Sequence, residues 1–467
     1  MIVSERQAKW QFSIQKVGIA WGFCMIVSSF NRIAIADLGL PAMLMSFVIG
    51  IYTLFGPLQP VIGRITDAFP IFGYRRMPYL LLGTLIGGCA FPFFPGILQE
   101  IVDGSTVAYF KCLAAFSAFG LCIAMQANTF LDLLNDVTTA EMRSRVTTTT
   151  WTWQALAMAG WAWVFGMAMP QFSFEAMQSL YNWSPVVMVG LTFLGVWKLE
   201  TPLNEEQLQA LKNKPPKPVS LTQPIKESLS IITYSPSAAF FFMFIIFSLL
   251  SVFLQDILQE VWAKDLFAMS AGESTIFQSM YNGLNTVGMA ICGIFVGVLA
   301  KKRMQKSGSK NERTLPEALA KKILGYGTAL VAITFICLAV AAYAKDLRAF
   351  YVFYVLSAVS LGLFIFPAIS YMVDMTVKGQ ESKYLGLWSL AQVIGLFLSF
   401  TISGTVYQTF IQSGLLEPNV AFAFIFVLQA MMAILCYLSI RPVSIAGLHN
   451  EARGAVRGDE NEVMGVR

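Results

Sequence analysis

A short charged segment separates two long apolar runs at residues 63–80, which read GRITDAFPIFGYRRMPYL. Asp67 is expected at the C-terminal end of the preceding helix, where the helix dipole disfavours a negative charge. Its carboxylate therefore needs a basic partner, and the candidates are Arg75, Arg76 and Arg145. Such an ion pair would hold neighbouring helices together.

Two glycines of the same segment are predicted to shape the connection between these helices. Gly63 would let the helices approach closely, and Gly73, together with Pro70, would allow a sharp reversal of the chain. Arg75 and Arg76 would then anchor the start of the next helix. The alternative is a hairpin whose bases only mark the cytoplasmic side of the membrane.

Further polar side chains lie inside the apolar runs, where ionisable groups are costly and are by default candidates for function. Asn128, Asp132 and Asn135 recur at helical spacing and predict a polar stripe on one helix face, with Gln126 off this stripe. The predicted cavity or substrate residues are Asn31, Arg32, Gln126, Asn128, Asp132, Gln255, Asp256, Glu260, Asn282, Asn285 and Gln392.

Two interpretations of these polar residues stay open. Arg32 either meets Asp256 or Glu260 and closes an outer gate, or it extends to the outer surface beside Asp37. The stripe that contains Asp132 either lines a functional cavity or only joins helices through polar contacts and an ion pair.

The composition determines the class of protein that must position these residues. Charged residues make up 13% of the 467-residue chain and apolar residues 56%, with a mean hydropathy of +0.63, whereas soluble domains carry about 25% charged residues. Apolar blocks of about twenty residues predict membrane-spanning helices. We expect twelve spans, of which 181–199 is the least distinct, near 17–37, 42–62, 78–98, 107–131, 146–169, 181–199, 237–258, 275–300, 322–343, 349–373, 385–410 and 420–440.

The distribution of basic residues predicts the orientation in the membrane. With the N-terminus in the cytoplasm, 27 of the 32 Lys and Arg residues lie in cytoplasmic segments, including Lys16, the basic stretch 301–322, Lys378 and the C-terminal tail. Only Lys264, Lys345 and Arg348 fall outside. This bias predicts that both chain ends are cytoplasmic and that the number of spans is even.

A polar, proline-rich stretch divides the spans into six and six, and the two halves repeat a polar pattern. The predicted organisation is a six-helix bundle at 1–199, a cytoplasmic linker at 200–236, a second bundle at 237–441 and a cytoplasmic tail at 442–467. Five matched polar positions recur at an offset of 238 residues, and among them we predict gating roles for Asp136, Arg145, Asp374 and Lys383. Two parallel six-helix repeats are typical of transporters whose site lies between the halves. The matched sets are Asp136, Thr138, Ser144, Arg145 and Gln154 in the first half, and Asp374, Thr376, Ser382, Lys383 and Gln392 in the second.

The segment at 63–80 resembles the loop 2–3 signature of the major facilitator superfamily, although the spacing between Asp67 and Gly73 is longer than usual. In that superfamily the signature latches the cytoplasmic side of one conformation, so the resemblance implies a latch role for Gly63, Asp67, Gly73, Arg75 and Arg76. Within that superfamily, FNRIAIADLGLPA (30–42), GRITDAFPIFGYRRMPY (63–79) and SVFLQDILQEVWA (251–263) resemble the bacteriochlorophyll delivery family of PucC-type light-harvesting assembly proteins. The resemblance covers all twelve spans and departs most in span 7, where the family's Pro and Gly are absent.

The resemblance implies an all-α membrane protein of major facilitator type, with twelve transmembrane helices in two six-helix bundles. It implies delivery of chlorophyll or bacteriochlorophyll, or assembly of light-harvesting or photosystem complexes, in a thylakoid or bacterial inner membrane. One alternative is a proton-coupled transporter of a small solute, with Asp132, Asp256 and Glu260 as proton carriers. The other is a non-transporting accessory subunit of a photosynthetic complex.

Neither an enzyme nor a metal site is predicted, because no catalytic motif and no metal-ligand spacing occurs. The implied partners are a tetrapyrrole pigment, light-harvesting or photosystem subunits and the lipid bilayer, with no nucleic acid. His449, the single histidine, lies in the tail, so the spans carry no imidazole ligand for a pigment magnesium. Since magnesium also accepts oxygen ligands, we expect transient chlorophyll or bacteriochlorophyll binding and no tightly bound cofactor.

Overall fold

The computed structural model describes residues 2–212, 222–307, 317–377 and 380–452. These residues form an all-helical structure with twelve long helices, numbered here α1 to α12. In chain order they are Glu5–Asp37, Ala42–Ala68, Met77–Val102, Thr106–Val137, Ala140–Ala168, Phe174–Val196, Pro236–Phe267, Ala271–Ser307, Glu317–Tyr343, Leu347–Asp374, Lys383–Gln412 and Pro418–Ile440.

Eleven of these helices in the described residues are long and apolar enough to cross a membrane. The predicted twelve-helix membrane fold is thus confirmed, with α5 as the one long helix that is less apolar. The segment that is least distinct in the sequence, 181–199, lies mostly within α6, and α6 is one of these eleven helices. In α5 the run TTTTWTWQ at residues 147–154 lowers the hydropathy without interrupting the helix.

Three helices depart from regular α-geometry near the predicted functional residues. Helix α1 begins at Glu5, where the Ser4 side chain caps the first turn, and it contains widened turns at Ile26–Phe30 and Ile33–Asp37. Helix α2 tightens over Ile51–Leu58, which includes Pro57. Helix α7 is interrupted before a short tight turn at Asp256–Leu258. Such irregular turns free backbone groups and redirect side chains, and they are frequent at functional sites.

The predicted linker and tail contain ordered structure. Within the linker, helices lie at Glu205–Lys212 and Thr222–Tyr234, and within the tail a helix covers 445–452. Several predictions lie outside the described residues. They are the linker centre at 213–221, the part of the basic stretch at 308–316, Lys378 and the tail bases Arg453, Arg457 and Arg467.

The chain divides into two compact units. The first contains Met1–Leu221, Asp256–Gly283 and Phe400–Leu415, and the second contains Thr222–Gln255, Leu284–Ser399 and Leu416–Arg467. In the first unit α1 packs against α5 and α6, and α3 packs against α4. In the second, α9 packs against α10 and α12, and α7 packs against α12. One end each of α7, α8 and α11 therefore belongs to the first unit, together with helices of the first sequence half.

Candidate functional site

An arginine surrounded by acids connects three helix ends in the first unit. Arg76 immediately precedes α3, and its side chain is only 6% exposed. Its Nη2 lies 2.5 Å from the Asp67 Oδ1 at the end of α2, and its Nη1 lies 3.3 Å from the Asp132 Oδ2 on α4. Its Nε lies 3.6 Å from the Asp136 Oδ2, and Thr66 accepts a further hydrogen bond. We call these residues the Arg76 cluster.

The Arg76 cluster answers the question of which base neutralises Asp67. The C-terminal ends of α2 and α4 both favour a nearby cation, and the planar guanidinium can bind several acids at once. Arg145 instead pairs with Glu5 on α1, at 3.0 Å between its Nη2 and the Glu5 Oε2. The Arg75 Nε is buried without a hydrogen-bond partner.

Glu200 holds the start of α3 in place. Its two carboxylate oxygens accept hydrogen bonds from the backbone N–H groups of Arg75, Arg76 and Met77 at 2.6 to 3.0 Å. The adjoining chain is tied as well, because the Leu203 N–H donates to the Gly73 carbonyl at 2.9 Å. A carboxylate at a helix N-terminus satisfies unpaired N–H groups and favours the dipole. The sequence analysis missed Glu200, because more than 120 residues separate it from these donors.

The two glycines of this segment have different roles. Gly73 has a φ of +82°, a left-handed conformation that suits glycine, so the predicted sharp turn is present. At Gly63 the contact between α2 and α4 does not require a glycine. A methyl group there would lie 3.7 Å from the Asp132 carboxylate, which is an ordinary contact.

The second polar network surrounds Arg32, between the two widened turns of α1. Its Nε lies 3.3 Å from the Asp37 Oδ2, and Asp37 also binds the Lys264 Nζ at 2.9 Å. The Arg32 guanidinium donates to the backbone carbonyls of Met269 and Ser270, at 3.0 and 3.1 Å, just before α8 begins. This arginine therefore fastens α1 to the start of α8.

Arg32 reaches Glu260 indirectly. The Ser274 hydroxyl accepts a hydrogen bond from Arg32 and donates to the Glu260 Oε2 at 3.1 Å, and Thr275 donates to the same oxygen at 2.9 Å. The direct Arg32 contact to Asp256 or Glu260 is thus not formed, since a hydroxyl takes the intermediate position. Because serine and threonine are common in membrane helices, the sequence analysis did not single out this pair.

Two further observations concern the surroundings of Arg32. The Asn31 Nδ2 donates to the Ile257 carbonyl at 2.8 Å, so a second side chain of α1 contacts the interrupted part of α7. Glu260 is 1% exposed, and its Oε1 is buried without a hydrogen-bond partner. We call Arg32, Asp37, Lys264, Glu260, Ser274 and Thr275 the Arg32 network.

The remaining predicted residues of the first unit have mixed surroundings. Gln126 is buried, accepts from Gln15 at 2.5 Å and donates to the Leu80 carbonyl at 2.7 Å, so it joins α1, α3 and α4. Asn128 lies half-buried beside Gly63. Asp256 and Asn282 are also half-buried, and neither belongs to the Arg76 cluster or the Arg32 network.

The predicted residues of the second unit do not form a matching arginine cluster. The Lys383 Nζ lies 3.8 Å from Glu227, and the Gln392 Nε2 lies 3.2 Å from the Met372 sulfur. Asp374 ends α10, and partial burial raises the pKa of its carboxyl. Gln255 is buried, and Asn285 has a buried Oδ1 without a hydrogen-bond partner.

One pair of positions in the sequence repeat makes corresponding ion pairs in the two units. Arg145 pairs with Glu5 at the first helix of the first half, and Lys383, its counterpart 238 residues later, pairs with Glu227 just before α7. Both pairs are partly exposed to solvent, with side chains 31% to 63% exposed, and ion pairs at such positions contribute little to stability. In the described residues no group of three His, Cys, Asp or Glu side chains is placed to hold a metal ion.

Comparison with known sequences gives a family match over residues 29–448, to the family described as PUCC protein. Protein PucC of Rhodovulum sulfidophilum is 22% identical over 402 residues, 84% of this chain and 83% of that protein. A Rhodobacter capsulatus protein named Bacteriochlorophyll synthase 44.5 kDa chain is 25% identical over 286 residues, 59% of this chain and 62% of that one. The Folate-biopterin transporter of Synechocystis sp. is 31% identical over 97 residues, 20% of either chain.

Solved structures of similar fold are transporters. A structure of a proton dependent oligopeptide transporter has a TM-score of 0.67 at 12% identity, covering 96% of this chain and 100% of that one. The D-xylose-proton symporter has a TM-score of 0.66 at 13% identity, covering 94% and 98%. The nucleoside transporter NupG has a TM-score of 0.65 at 13% identity, covering 94% and 99%. The family match and this shared fold together show that the chain is a multi-pass membrane protein of major facilitator type and belongs to the PucC protein family.

Proposed function

We propose that this protein handles a chlorophyll-type pigment during the biogenesis of light-harvesting or photosystem complexes in a photosynthetic membrane. The family match over residues 29–448 carries this proposal. Two relatives support it by name, since one is called Protein PucC and the other Bacteriochlorophyll synthase 44.5 kDa chain. In this function the protein binds a tetrapyrrole transiently and works together with subunits that receive it.

The side chains of the second unit that could bind the magnesium of a pigment are suited to a transient contact. The single histidine is His449, whose Nε2 lies 3.1 Å from the Thr376 carbonyl, beyond the end of α10. Asn285 on α8 instead offers a buried amide oxygen that lacks a hydrogen-bond partner. Magnesium prefers oxygen ligands, and a single neutral amide oxygen would hold a pigment less firmly than a set of charged ligands.

Absorption spectroscopy of the gently purified protein tests the proposal. We expect a pigment band in the red region when the protein is produced in a pigment-making cell. The band should weaken in Asn285→Leu and persist in Gln392→Leu, whose amide already contacts Met372. A colourless wild-type protein, with and without copurified photosynthetic subunits, would contradict the proposal.

A second candidate function, proton-coupled transport of a small solute, is favoured by one observation. Glu260 is buried and has an unpaired carboxylate oxygen, as expected of a group that takes up a proton inside a membrane protein. Folate is a suitable probe, since one relative is named Folate-biopterin transporter. The test is proton-driven folate uptake into proteoliposomes. Uptake that is lost in Glu260→Gln would favour this function over pigment handling. The control is Glu273→Gln, at an exposed position of α8, which should keep the uptake.

A further inference from the structure

Lys16 is a buried cation without an acidic partner. Four charged side chains are fully buried among the described residues, namely Lys16, Arg32, Arg76 and Glu260. Both arginines bind carboxylates directly. Lys16 is 5% exposed, and its ammonium has no ion pair or hydrogen bond to any described residue. The sequence analysis counted it among the bases on the cytoplasmic side and did not predict its burial.

Two aromatic rings surround the Lys16 ammonium instead. Its Nζ lies 4.1 Å from the centroid of the Phe130 ring on α4 and 4.8 Å from the centroid of the Trp151 ring on α5. Such cation–π contacts offset only part of the cost of removing an ammonium from water. All three residues belong to the first compact unit. This site therefore has an uncompensated positive charge in an aromatic environment.

Unpaired hydroxyl groups occur on the same helices. Ser13, three residues before Lys16 and so on the same face of α1, is buried with no partner for its Oγ. Thr150, next to Trp151 on α5, is also buried with an unpaired Oγ1. Buried hydroxyls normally find hydrogen-bond partners. An anion beside the ammonium would use such donors.

Helix α5 offers an approach to this position. Trp151 is 50% exposed, and Thr148 and Thr152 on the same side of the helix are exposed as well. Among the described residues, this is the one long helix that is not among the eleven apolar enough to cross a membrane. An exposed face of threonine and tryptophan suits contact with water or with a flat polar-edged molecule.

We propose that Lys16, with the rings of Phe130 and Trp151, binds one free carboxylate group of a flat conjugated molecule. The inference rests on the proposed pigment function and makes it more specific. A tetrapyrrole with a free propionate would bind here, whereas the same pigment esterified at that group would lose the charge contact with Lys16. The chemistry is shared by folate, which also joins a conjugated ring to free carboxylates.

The test measures the affinity of the purified protein for chlorophyllide a, which has a free propionate, and for its methyl ester. We expect the wild type to bind the free acid at least tenfold more tightly than the ester. Lys16→Met, a neutral side chain of similar length, should remove this preference and leave ester binding unchanged. Lys16→Arg should retain it, and so should Lys9→Met, which removes a partly exposed lysine of the same helix that pairs with Glu5.

Each outcome decides something. Equal affinity of the wild type for acid and ester, or a preference that survives in Lys16→Met, overturns the role of Lys16 while pigment binding stands. Binding of neither compound overturns the pigment function together with this inference. Folate that binds with the same dependence on Lys16 while neither pigment compound binds would assign the site to a small organic acid. If Lys16→Met does not fold, Lys16→Gln takes its place: a preference that survives in Lys16→Gln overturns the role of Lys16, and its loss supports that role.

Discussion

The Arg76 guanidinium lies 3.3 Å from the Asp132 carboxylate and 2.5 Å from that of Asp67, so one buried side chain joins the ends of α2 and α4. Its removal would leave several carboxylates close together without a counter-charge. Partial solvent exposure of the acids moderates this cost. The arrangement makes Arg76 the central residue of its cluster, since each of the three acids contacts it separately.

We predict that Arg76→Met destabilises the protein by on the order of 2 kcal/mol, because truncating one member of a buried charge network leaves its partners unpaired. Asp67→Asn should cost less, since Asp132 and Asp136 still bind the arginine. Thermal unfolding in detergent measures both effects. Arg64→Met, at an exposed position of α2, is the control. An equal loss in Asp67→Asn and Arg76→Met would contradict the central role of the arginine.

Glu200→Ala should destabilise the protein by about 1–2 kcal/mol, the range found when a helix cap is removed. The reason is that the carboxylate accepts hydrogen bonds from three N–H groups at the start of α3. Glu200→Gln keeps one acceptor oxygen and should lose less. Glu205→Ala changes an exposed glutamate nearby and should leave the unfolding temperature unchanged. An unchanged unfolding temperature in Glu200→Ala would show that this cap does not stabilise α3.

Gly272→Ala should destabilise the first unit by about 1–3 kcal/mol, as overpacking of a close contact does. A methyl group there would lie 2.5 Å from the Gly166 carbonyl oxygen and 3.0 Å from the Pro170 Cα, so α5 and α8 would have to separate. The matched control is Gly283→Ala on the same helix, where nothing lies within 4 Å. Equal unfolding temperatures for the two variants would contradict the close contact.

Asp374 should make stability depend on pH, because burial raises the pKa of its carboxyl above the ordinary value near 3.8. The folded state then binds the proton more tightly than the unfolded state, so stability falls as the pH rises through the interval between the two pKa values. Asp374→Asn removes this loss. The variant should match the wild type near pH 3 and be the more stable protein at pH 7. Thermal unfolding at both pH values checks the sign, and a less stable variant at pH 7 would contradict it.

Much of the architecture followed from the sequence because membrane insertion imposes local rules. Each span must satisfy its own backbone within an apolar segment, so hydropathy alone located the helices to within a few residues at most ends. The largest exception was the start of α1, where Ser4 caps the helix at Glu5, well before the apolar run. The end of α7 at Phe267 also lies well beyond its predicted span. The resemblance through residues 30–42 and 63–79 likewise indicated the family.

The tertiary structure decided which charges meet. Sequence spacing left three possible partners for Asp67, and packing of both α2 and α3 against α4 selected Arg76. Packing also placed Ser274 between Arg32 and Glu260. Lys16 shows the difference most clearly. By position it is a base at the edge of an apolar run, whereas in the folded protein it is 5% exposed and lies beside Phe130 and Trp151. Its burial depends on neighbours more than a hundred residues away in the chain.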